Sequence, residues 1–410
     1  MRRVAITGLG VIAATGRDVR SFFDNLVLAH SGVRRITQFD PSSLTVQIAG
    51  EVPDYRSTDY FPQKQLDFID RFCEFGLVGA REAMQSSGLQ IREEEQTRFG
   101  VAMGSGIGGA NTLESGFYNL YAKQATRLHP FTIPKMMHNA AASQICMEFG
   151  AKGPSLATST ACSSAGHAIG EAFHFIKFGL ADLMLAGGSD APITYGMIRS
   201  WESVRVLAPG NGDPSRACRP FSADREGLVM GEGAGVLLLE ELGHARRRGA
   251  KIYAELAGYG ITSDASHITQ PSVEGPVRAI EMALEEAGVK PEQVDYVNAH
   301  GTGTRLNDVT ETQVLKEALK EHARKVAISS TKSMHGHAMG ATGAIELVAT
   351  VMALEQGIIP PTANYTKPDP ECDLDYVPNQ AREARVGVAV SNSFAFGGLN
   401  AVLVVRKFEG

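Results

Sequence analysis

The stretch TSTACSSAG, residues 158–166, joins a predicted strand to a predicted helix. Residues 154–159 favour an extended chain, and residues 167–178 carry apolar side chains at helical spacing. A thiol at a helix start faces unpaired backbone N–H groups, which stabilise a thiolate and are expected to lower the pKa of Cys162. A buried structural cysteine is the alternative interpretation. Two histidine motifs far along the sequence favour a reactive cysteine over a structural one.

The two histidine motifs each follow a predicted strand. NAHGTGT, residues 298–304, places two glycines just after His300, and STKSMHGHAMG, residues 330–340, places His337 near Lys332. One cysteine with two histidines fits nucleophilic acyl chemistry, in which the thiolate takes an acyl group as a thioester. Neutral histidines then donate hydrogen bonds to a carbonyl oxygen that gains negative charge. A buried Lys332 needs a counter-charge, for which we expect Glu346 on the following helix.

A zinc site is the alternative use of these side chains, because imidazole and thiolate both suit zinc. The spacing His335-Gly336-His337 is able to place both rings on one side, with Cys162 and His300 as further ligands. No acidic ligand lies nearby at helical spacing, and zinc would mask a catalytic thiol. We therefore expect no metal at this site.

Two glycine motifs raise the question of nucleotide binding. GLGVIA, residues 8–13, fits GxGxxA, and GSGIGG, residues 104–109, fits GxGxxG. A dinucleotide site also needs an acidic residue about 20 positions on, and residues 26–35 contain none. We interpret these glycines as serving tight turns and close backbone packing, and we expect no cofactor.

Composition narrows the classes of protein. Of 410 residues, 43% are hydrophobic and 20% charged, which is typical of a globular chain, and the net charge of −6 does not favour nucleic-acid binding. The five cysteines are scattered without a CxxC pair, which does not favour a disulfide framework. No apolar run has signal-peptide or membrane-spanning length, so we expect a cytoplasmic protein without a membrane partner.

Short apolar runs alternate with helical patterns, which indicates an α/β fold. The predicted helices include Val277–Ala287, Thr310–Lys320 and Ala344–Leu354. The predicted strands are Val4–Ile6, Arg98–Met103, Leu183–Ala186, Val236–Glu240, Ile252–Tyr259, Tyr296–Ala299, Ala327–Ser329, Val386–Val390 and Ala401–Val405. The same pattern occurs in both halves of the chain: one strand leads to Cys162, and a later strand leads to SNSFAFGG, residues 391–398. This repetition suggests an internal duplication, with the boundary between the two copies (the seam) around residues 245–260.

These motifs resemble the β-ketoacyl-acyl carrier protein synthases, most closely the type II condensing enzymes of fatty-acid elongation. The resemblance covers the whole chain and is specific, because seven landmarks occur in order. They are Val4–Gly10, Gly104–Gly109, the Cys162 turn, Gly231–Gly235, His300–Thr304, Lys332–Gly340 and Asn392–Asn400. The resemblance implies a thiolase-like five-layer α/β/α/β/α fold from two duplicated halves, residues 1–250 with Cys162 and residues 251–410 with His300 and His337.

The resemblance also implies a role for each site residue. Cys162 would be the acylated nucleophile, and His300 and His337 would stabilise the enolate formed when malonyl-acyl carrier protein loses CO2. Lys332 would organise the site with Glu346. The N–H groups of Cys162 and Phe396 would form the oxyanion hole, with Phe396 as a gate. Substrate contacts would come from Ile107, Thr132, Thr302, Thr304, Phe394, Gly397 and Gly398.

As partners, the resemblance implies an acyl- and malonyl-loaded carrier protein and a homodimer in which the second chain completes the acyl tunnel. A heterodimer with a chain-length factor is the alternative assembly. A monovalent cation near the C-terminal loops is allowed, with ligands that the sequence does not assign.

Some positions depart from the family pattern. Ala395 and Leu399 replace the usual Gly and Thr of the final loop, and Thr132 replaces a bulky aromatic residue. The segment Lys64–Arg71, a surface helix usually rich in basic residues, mixes charges here. Such a final loop resembles the nodulation E-type synthases, and some polyketide and polyene synthases share these features. A specialised synthase that makes unsaturated or unusual acyl chains is therefore the alternative to primary elongation.

Two other classes fit the sequence less well. A non-catalytic chain-length factor lacks the cysteine, whereas Cys162, His300 and His337 are all present here. A thiolase or a cysteine hydrolase is the other class. A thiolase needs a second cysteine as its base, and the last cysteine, Cys372, lies in a Pro/Asp-rich loop that does not suit this role.

Overall fold

The computed structural model describes residues 1–409, and their strands and helices alternate as predicted. The strands are β1 Val4–Ala13, β2 Arg34–Arg35, β3 Ile48–Ala49, β4 Phe99–Gly104, β5 Ser155–Thr158, β6 Leu183–Asp190, β7 Gly233–Glu241, β8 Ala254–Ser263, β9 Tyr296–Asn298, β10 Ala327–Ser329, β11 Ile358–Ile359, β12 Arg382–Glu383, β13 Val388–Ala395 and β14 Leu399–Arg406. The helices are α1 Val19–Val27, α2 Gln63–Leu66, α3 Arg71–Ser87, α4 Ala110–Tyr121, α5 Thr132–Met136, α6 Ala140–Phe149, α7 Ser164–Lys177, α8 Tyr195–Val204, α9 Leu242–Arg247, α10 Glu274–Ala287, α11 Arg305–Leu319, α12 Lys332–His335 and α13 Thr342–Gln356. None of these helices is long and apolar enough to span a membrane.

Ten strands form one sheet in the order β10-β9-β13-β14-β8-β1-β7-β6-β4-β5. Within each half, the five strands of this sheet are numbered 1 to 5 in chain order. Read from the edge of the sheet toward its centre, both halves then have the strand order 3-2-4-5-1. The halves meet where β1 pairs antiparallel with β8, from Val4 opposite Leu256 to Ile6 opposite Ala254. The repeated order supports the duplication expected from the sequence, and β8 begins within the expected seam.

The helices complete five layers. Helices α7 and α13 lie between the two halves of the sheet, α3 and α6 cover the outer face of the first half, and α10 and α11 cover the second. Every residue of α13 from Thr342 to Leu354 is buried. A helix covered on all sides must be apolar nearly throughout, as this one is. The five-layer α/β/α/β/α fold is therefore confirmed.

The glycines of residues 8–13 do not form a turn. Strand β1 continues through them to Ala13, because the backbone of α3 lies directly against it. A Cβ on Gly8 would lie 2.1 Å from the carbonyl oxygen of Ala83, and one on Gly10 would lie 1.9 Å from that of Gly79. The predicted close packing of the backbone is thus present. The predicted turn after Ile6 is absent, and that prediction was wrong.

The segment Lys64–Arg71 is not one surface helix. Helix α2 ends at Leu66, and Asp70 caps the start of α3 by accepting a hydrogen bond from the Phe72 amide at 3.2 Å. Arg71 turns inward and donates to Glu232 at 2.6 Å and 2.9 Å. The mixed charge seen in the sequence is therefore partly internal, and Lys64 is the exposed basic residue of this segment.

We predict that Gly10→Ala destabilises the protein by about 1–3 kcal/mol, because the new Cβ would collide with the α3 backbone. Gly212→Ala is the matched control, since a Cβ there would meet no atom within 4 Å. The measurement is urea denaturation of both variants. Equal stability of the two variants would contradict the close helix–strand contact.

Candidate active site

Cys162 lies in a 3-10 turn, Ala161–Ser163, between β5 and α7. Ala161 has a φ of 50°, a left-handed conformation that costs energy for a residue with a side chain. The turn is fixed to the other half of the molecule, because the Ser163 hydroxyl donates to the carbonyl oxygens of Ser393 at 2.9 Å and Leu399 at 2.8 Å. The reactive thiol is therefore held against the hairpin of β13 and β14.

The expectation of a lowered thiol pKa was wrong for the free protein. Burial raises the pKa of Cys162 to about 11, while the Lys332 ammonium and the backbone N–H groups of Phe396 and Cys162 act to lower it. The side chain is 8% exposed, so the cost of desolvating a thiolate exceeds the benefit of the adjacent helix. The thiol must lose its proton during the reaction itself.

His337 is held in one tautomer. The Met339 amide donates to its Nδ1 at 3.0 Å, and the Thr342 hydroxyl lies at the same distance. An amide only donates, so Nδ1 is an acceptor and the proton of the neutral ring is on Nε2. Burial and the Lys332 ammonium lower the pKa of His337 well below its ordinary value. His337 is thus a neutral Nε2–H donor.

His300 faces His337, with ring centroids 5.6 Å apart and the planes nearly perpendicular. Its backbone is anchored by Glu311, which accepts from the amides of His300 at 2.8 Å and Gly301 at 2.7 Å. Burial, Lys332 and His337 together lower the pKa of His300 well below its ordinary value. Glu311 was not predicted from the sequence; it is buried on α11 between Thr310 and Thr312, and no motif marks it.

Lys332 is fully buried and donates to Glu346 Oε1 at 2.6 Å. Burial raises the pKa of Glu346 to about 7, and the lysine charge opposes this rise. Lys332 also lowers the pKa values of Cys162, His300 and His337. The ammonium therefore stands behind the site and keeps both imidazoles neutral.

His335 does not join the site. Its Nδ1 lies 2.8 Å from the Gly336 carbonyl, its Nε2 lies 3.0 Å from the Thr331 hydroxyl, and its ring packs near Phe22. Burial lowers the pKa of His335 to about 3. The possibility that the His-Gly-His spacing puts both rings on one side is excluded, because Gly336 has a φ of 73° and redirects the chain.

A cavity of about 360 Å³ opens onto Cys162. The predicted residues that line it are Cys162, His300, Thr302, Thr304, His337, Phe394, Phe396, Gly397 and Gly398. Two predicted substrate residues lie elsewhere. Ile107 packs against the apolar cluster that contains Ile193 and Met339, and Thr132 begins α5 at the surface.

The mouth of this cavity is bordered by two loops. Phe396, 37% exposed, stacks on Trp201 with centroids 5.9 Å apart. The Gly397 amide donates to Ile268 at 2.7 Å, and the Asn400 side chain donates to Asp264 at 2.7 Å. The loop that bears Phe396 is thus latched to residues 264–268 by hydrogen bonds. Trp201 and Asp264 carry no sequence motif that would have identified them.

The ligand atoms of Cys162, His300 and His337 all lie within 4.8 Å of one another, a separation that alone would admit a metal ion. A metal needs a lone pair on Nε2 of His337, which here holds the proton. Moving that proton to Nδ1 would set two N–H groups against each other, because the Met339 amide already points there. The tautomer of His337 therefore disfavours zinc.

Three buried oxygens behind the site accept no hydrogen bond from residues 1–409. They are Asn298 Oδ1, Glu346 Oε2 and Asn392 Oδ1. Asn298 also donates to the Glu346 carbonyl at 3.2 Å, and its strand neighbour is Ser391. Oxygen donors of this kind fit a hard cation, so these residues would hold the monovalent ion that the resemblance allows. Such an ion would offset the buried Glu346 charge and fix the β13 backbone.

Comparison with known families matches both halves of the chain. Residues 1–245 match the model described as "Beta-ketoacyl synthase, N-terminal domain", and residues 253–366 match "Beta-ketoacyl synthase, C-terminal domain". The chain is 46% identical to 3-oxoacyl-[acyl-carrier-protein] synthase 2 of Synechocystis sp., over 100% of this chain and 99% of the relative. It is 45% identical to Nodulation protein E of Rhizobium sp. (strain N33), over 99% of both.

Solved structures agree with these matches. A type II polyketide ketosynthase in complex with its acyl-carrier protein, AntDE:AntF, superposes with a TM-score of 0.91 at 35% identity, covering 99% of this chain and 100% of that one. The ishigamide ketosynthase/chain length factor gives 0.92 at 34% identity, covering 100% of both chains.

We predict that His337 is neutral, with its proton on Nε2, at pH 6.5, where an ordinary histidine is half protonated, because its pKa lies well below the ordinary value. The measurement is ¹⁵N NMR of histidine-labelled protein, with His337→Asn to assign the signal. Thr342→Val is the control and should keep the tautomer, because the Met339 amide still donates. A titration midpoint near about 6.5 would contradict the prediction.

Proposed function

The chain belongs to the β-ketoacyl synthase family and is an acyl-transferring condensing enzyme, and we propose that it elongates acyl chains through a thioester on Cys162. Its activity is that of a 3-oxoacyl-acyl carrier protein synthase: decarboxylative condensation of an acyl thioester with malonyl-acyl carrier protein. The observation that supports the mechanism is the meeting of one thiol and two neutral imidazoles within 4.8 Å, in a cavity. Residues 1–250 would supply the thiol, and residues 251–410 the histidines.

The first step is an exchange of thioesters. The Cys162 sulfur attacks the carbonyl carbon of the incoming acyl thioester, the new C–S bond forms, and the carrier's thiol leaves with the proton that Cys162 loses. The N–H groups of Cys162 and Phe396 point toward the sulfur and would hold the carbonyl oxygen as it gains negative charge.

The second step forms the carbon–carbon bond. The malonyl thioester loses CO2, and the electron pair left behind is held as an enolate by the His300 and His337 N–H groups. The enolate carbon attacks the acyl carbonyl, the C–S bond to Cys162 breaks, and the released thiolate takes up one proton from solvent, which balances the charge of the lost carboxylate. Neutral imidazoles suit this step, because a donor that is already uncharged at pH 7 needs no proton from solvent.

Elongation in fatty-acid synthesis is the function best supported, since a full-length relative at 46% identity bears the name 3-oxoacyl-[acyl-carrier-protein] synthase 2. A specialised ketosynthase is the second candidate. It is favoured by the similarity to Nodulation protein E and by Ala395 and Leu399, which flank the gate residue Phe396.

The carrier protein would dock at the cavity mouth. Val204 and Val206 line that mouth, and between them Arg205 is exposed and forms no ion pair with residues 1–409. Carrier proteins present a phosphopantetheine arm and acidic surface, so a free guanidinium beside the opening suits their approach. The related ketosynthase solved with its acyl-carrier protein supports this type of partner.

We predict that Cys162→Gln abolishes elongation but retains or raises malonyl decarboxylation, because the amide mimics an acylated thiol. His300→Ala should leave acylation of Cys162 largely intact while stopping decarboxylation. Intact-protein mass spectrometry with saturated and unsaturated primers of graded length measures both steps.

An unmodified Cys162 with every acyl donor would contradict the mechanism. Loss of acylation in His300→Ala would make His300 the base that activates the thiol. Broad activity on medium and long saturated primers would indicate primary elongation, and activity confined to unsaturated primers would indicate a specialised synthase.

A homodimer would form along β5. This strand is one of the two outer edges of the sheet, is partly exposed, and within residues 1–409 pairs with β4 alone. An edge strand has unpaired backbone N–H and C=O groups that can pair with a strand of another chain. Exposed apolar side chains lie nearby on α4 and around α5: Phe117, Tyr118, Tyr121, Phe131, Ile133 and Met137. Thr132 lies among them and, in such a dimer, would reach a partner's acyl tunnel rather than its own.

We predict that the protein elutes at twice the mass of one chain, and that Ile133→Asp with Met137→Asp returns it to the mass of one chain. The cause is burial of two unpaired carboxylates in the interface. Leu28→Asp is the control, because Leu28 is equally exposed but lies after α1. The measurement is light scattering after gel filtration. A single-chain mass for the unaltered protein would contradict the homodimer and favour a second, different subunit.

A further inference from the structure

Asp190, the last residue of β6, is a fully buried carboxylate that the chemistry above does not use. It accepts four hydrogen bonds: from the Ser105 hydroxyl at 2.7 Å and from the amides of Gly106 at 2.8 Å, Ile107 at 3.3 Å and Gly340 at 2.7 Å. No basic side chain within residues 1–409 forms an ion pair with it. A buried charge kept without a counter-ion indicates a positional task.

The four donors come from two separate parts of the site. Ser105, Gly106 and Ile107 follow β4 in the first half of the chain. Gly340 belongs to the 3-10 turn Met339–Ala341 in the second half, directly after His337. The two segments touch, since a Cβ on Gly340 would lie 2.3 Å from the Gly106 amide nitrogen.

We propose that Asp190 is a positioning residue, which holds the segment Ser105–Ile107 against the turn that follows His337 and so fixes the ring of the decarboxylating histidine. The proposal rests on the proposed function. The connection to His337 is short: Asp190 holds the Gly340 amide, and the preceding amide, that of Met339, donates to His337 Nδ1.

The charge of Asp190 matters as well as its shape. Burial raises its pKa to about 6, and the four donors oppose the rise, so the carboxylate is ionised at neutral pH. That negative charge raises the pKa of the Cys162 thiol, against the lowering by Lys332. An asparagine keeps one acceptor oxygen and turns an NH2 group toward an amide donor, so one of the two segments must come loose.

The test compares Asp190→Asn with Ser189→Ala. Ser189 is the neighbouring buried residue on the same strand, and its hydroxyl has no hydrogen-bond partner within residues 1–409, so its loss changes packing alone. Three quantities are measured: kcat and KM for malonyl-carrier protein, the pH midpoint of Cys162 alkylation by iodoacetamide, and the His337 ¹⁵N signal.

We expect Asp190→Asn to lower kcat by about 10- to 100-fold, in line with loss of charge-assisted hydrogen bonds, with KM changed less than about threefold. The alkylation midpoint should move to lower pH, because a negative charge near the thiol is removed. The His337 signal should shift or broaden, and Ser189→Ala should match the unaltered protein in all three.

A kcat within about threefold of the unaltered protein, or an unmoved His337 signal, would overturn the proposal. If Asp190→Asn does not fold, Ser105→Ala keeps the charge and removes one donor, and we expect a fall in kcat of about 3- to 10-fold. An unaltered protein that elongates no primer would instead refute the proposed function. The alkylation and NMR readouts would then still decide whether Asp190 positions His337.

Discussion

The buried ammonium of Lys332 is the charge around which the site is built. A charge that is fully withdrawn from water needs an ion-pair partner or a full set of hydrogen bonds, and Glu346 on α13 supplies the partner of Lys332 at 2.6 Å. The same charge keeps His300 and His337 from taking protons and eases ionisation of Cys162. Burial is the larger cause at all three groups; the lysine charge adds to it at the two imidazoles and opposes it at the thiol. This requires the loops of both halves to be folded before the site has its chemistry.

Much of the fold follows from sequence pattern. Strands β6, β7 and β14 and helices α10, α11 and α13 were predicted within a few residues, because apolar runs and helical spacing report burial directly. The glycines of β1 were misjudged in part. Their local sequence is that of a phosphate-binding turn, and only the close approach of α3, a contact between residues about 70 apart in sequence, shows why the strand continues.

The site was harder to predict wherever contacts between residues distant in sequence determine a pKa or a role. Cys162, His300, His337, Lys332 and Glu346 were recognised by type and order, and the structure brings them together. The thiol pKa was misjudged because a local helix effect competes with burial, which sequence does not measure. His335 was undecided because one backbone angle, at Gly336, separates it from His337. Glu311 and Asp190 act on backbone amides from distant segments, so no motif marks them.

The repeated strand order extends to the reactive turn itself. Ala161-Cys162-Ser163 precedes the central helix α7, and Met339-Gly340-Ala341 precedes its counterpart α13, with φ values of 50° and 49° at the first residue of each turn. Gly340 thus occupies the place of the nucleophile in the second copy. No side chain fits there, since the Gly106 amide lies 2.3 Å from its Cβ position. The same turn thus serves two purposes in the two halves: in the first it presents the thiol, and in the second, as a glycine, it packs against the Gly106 segment that borders the site.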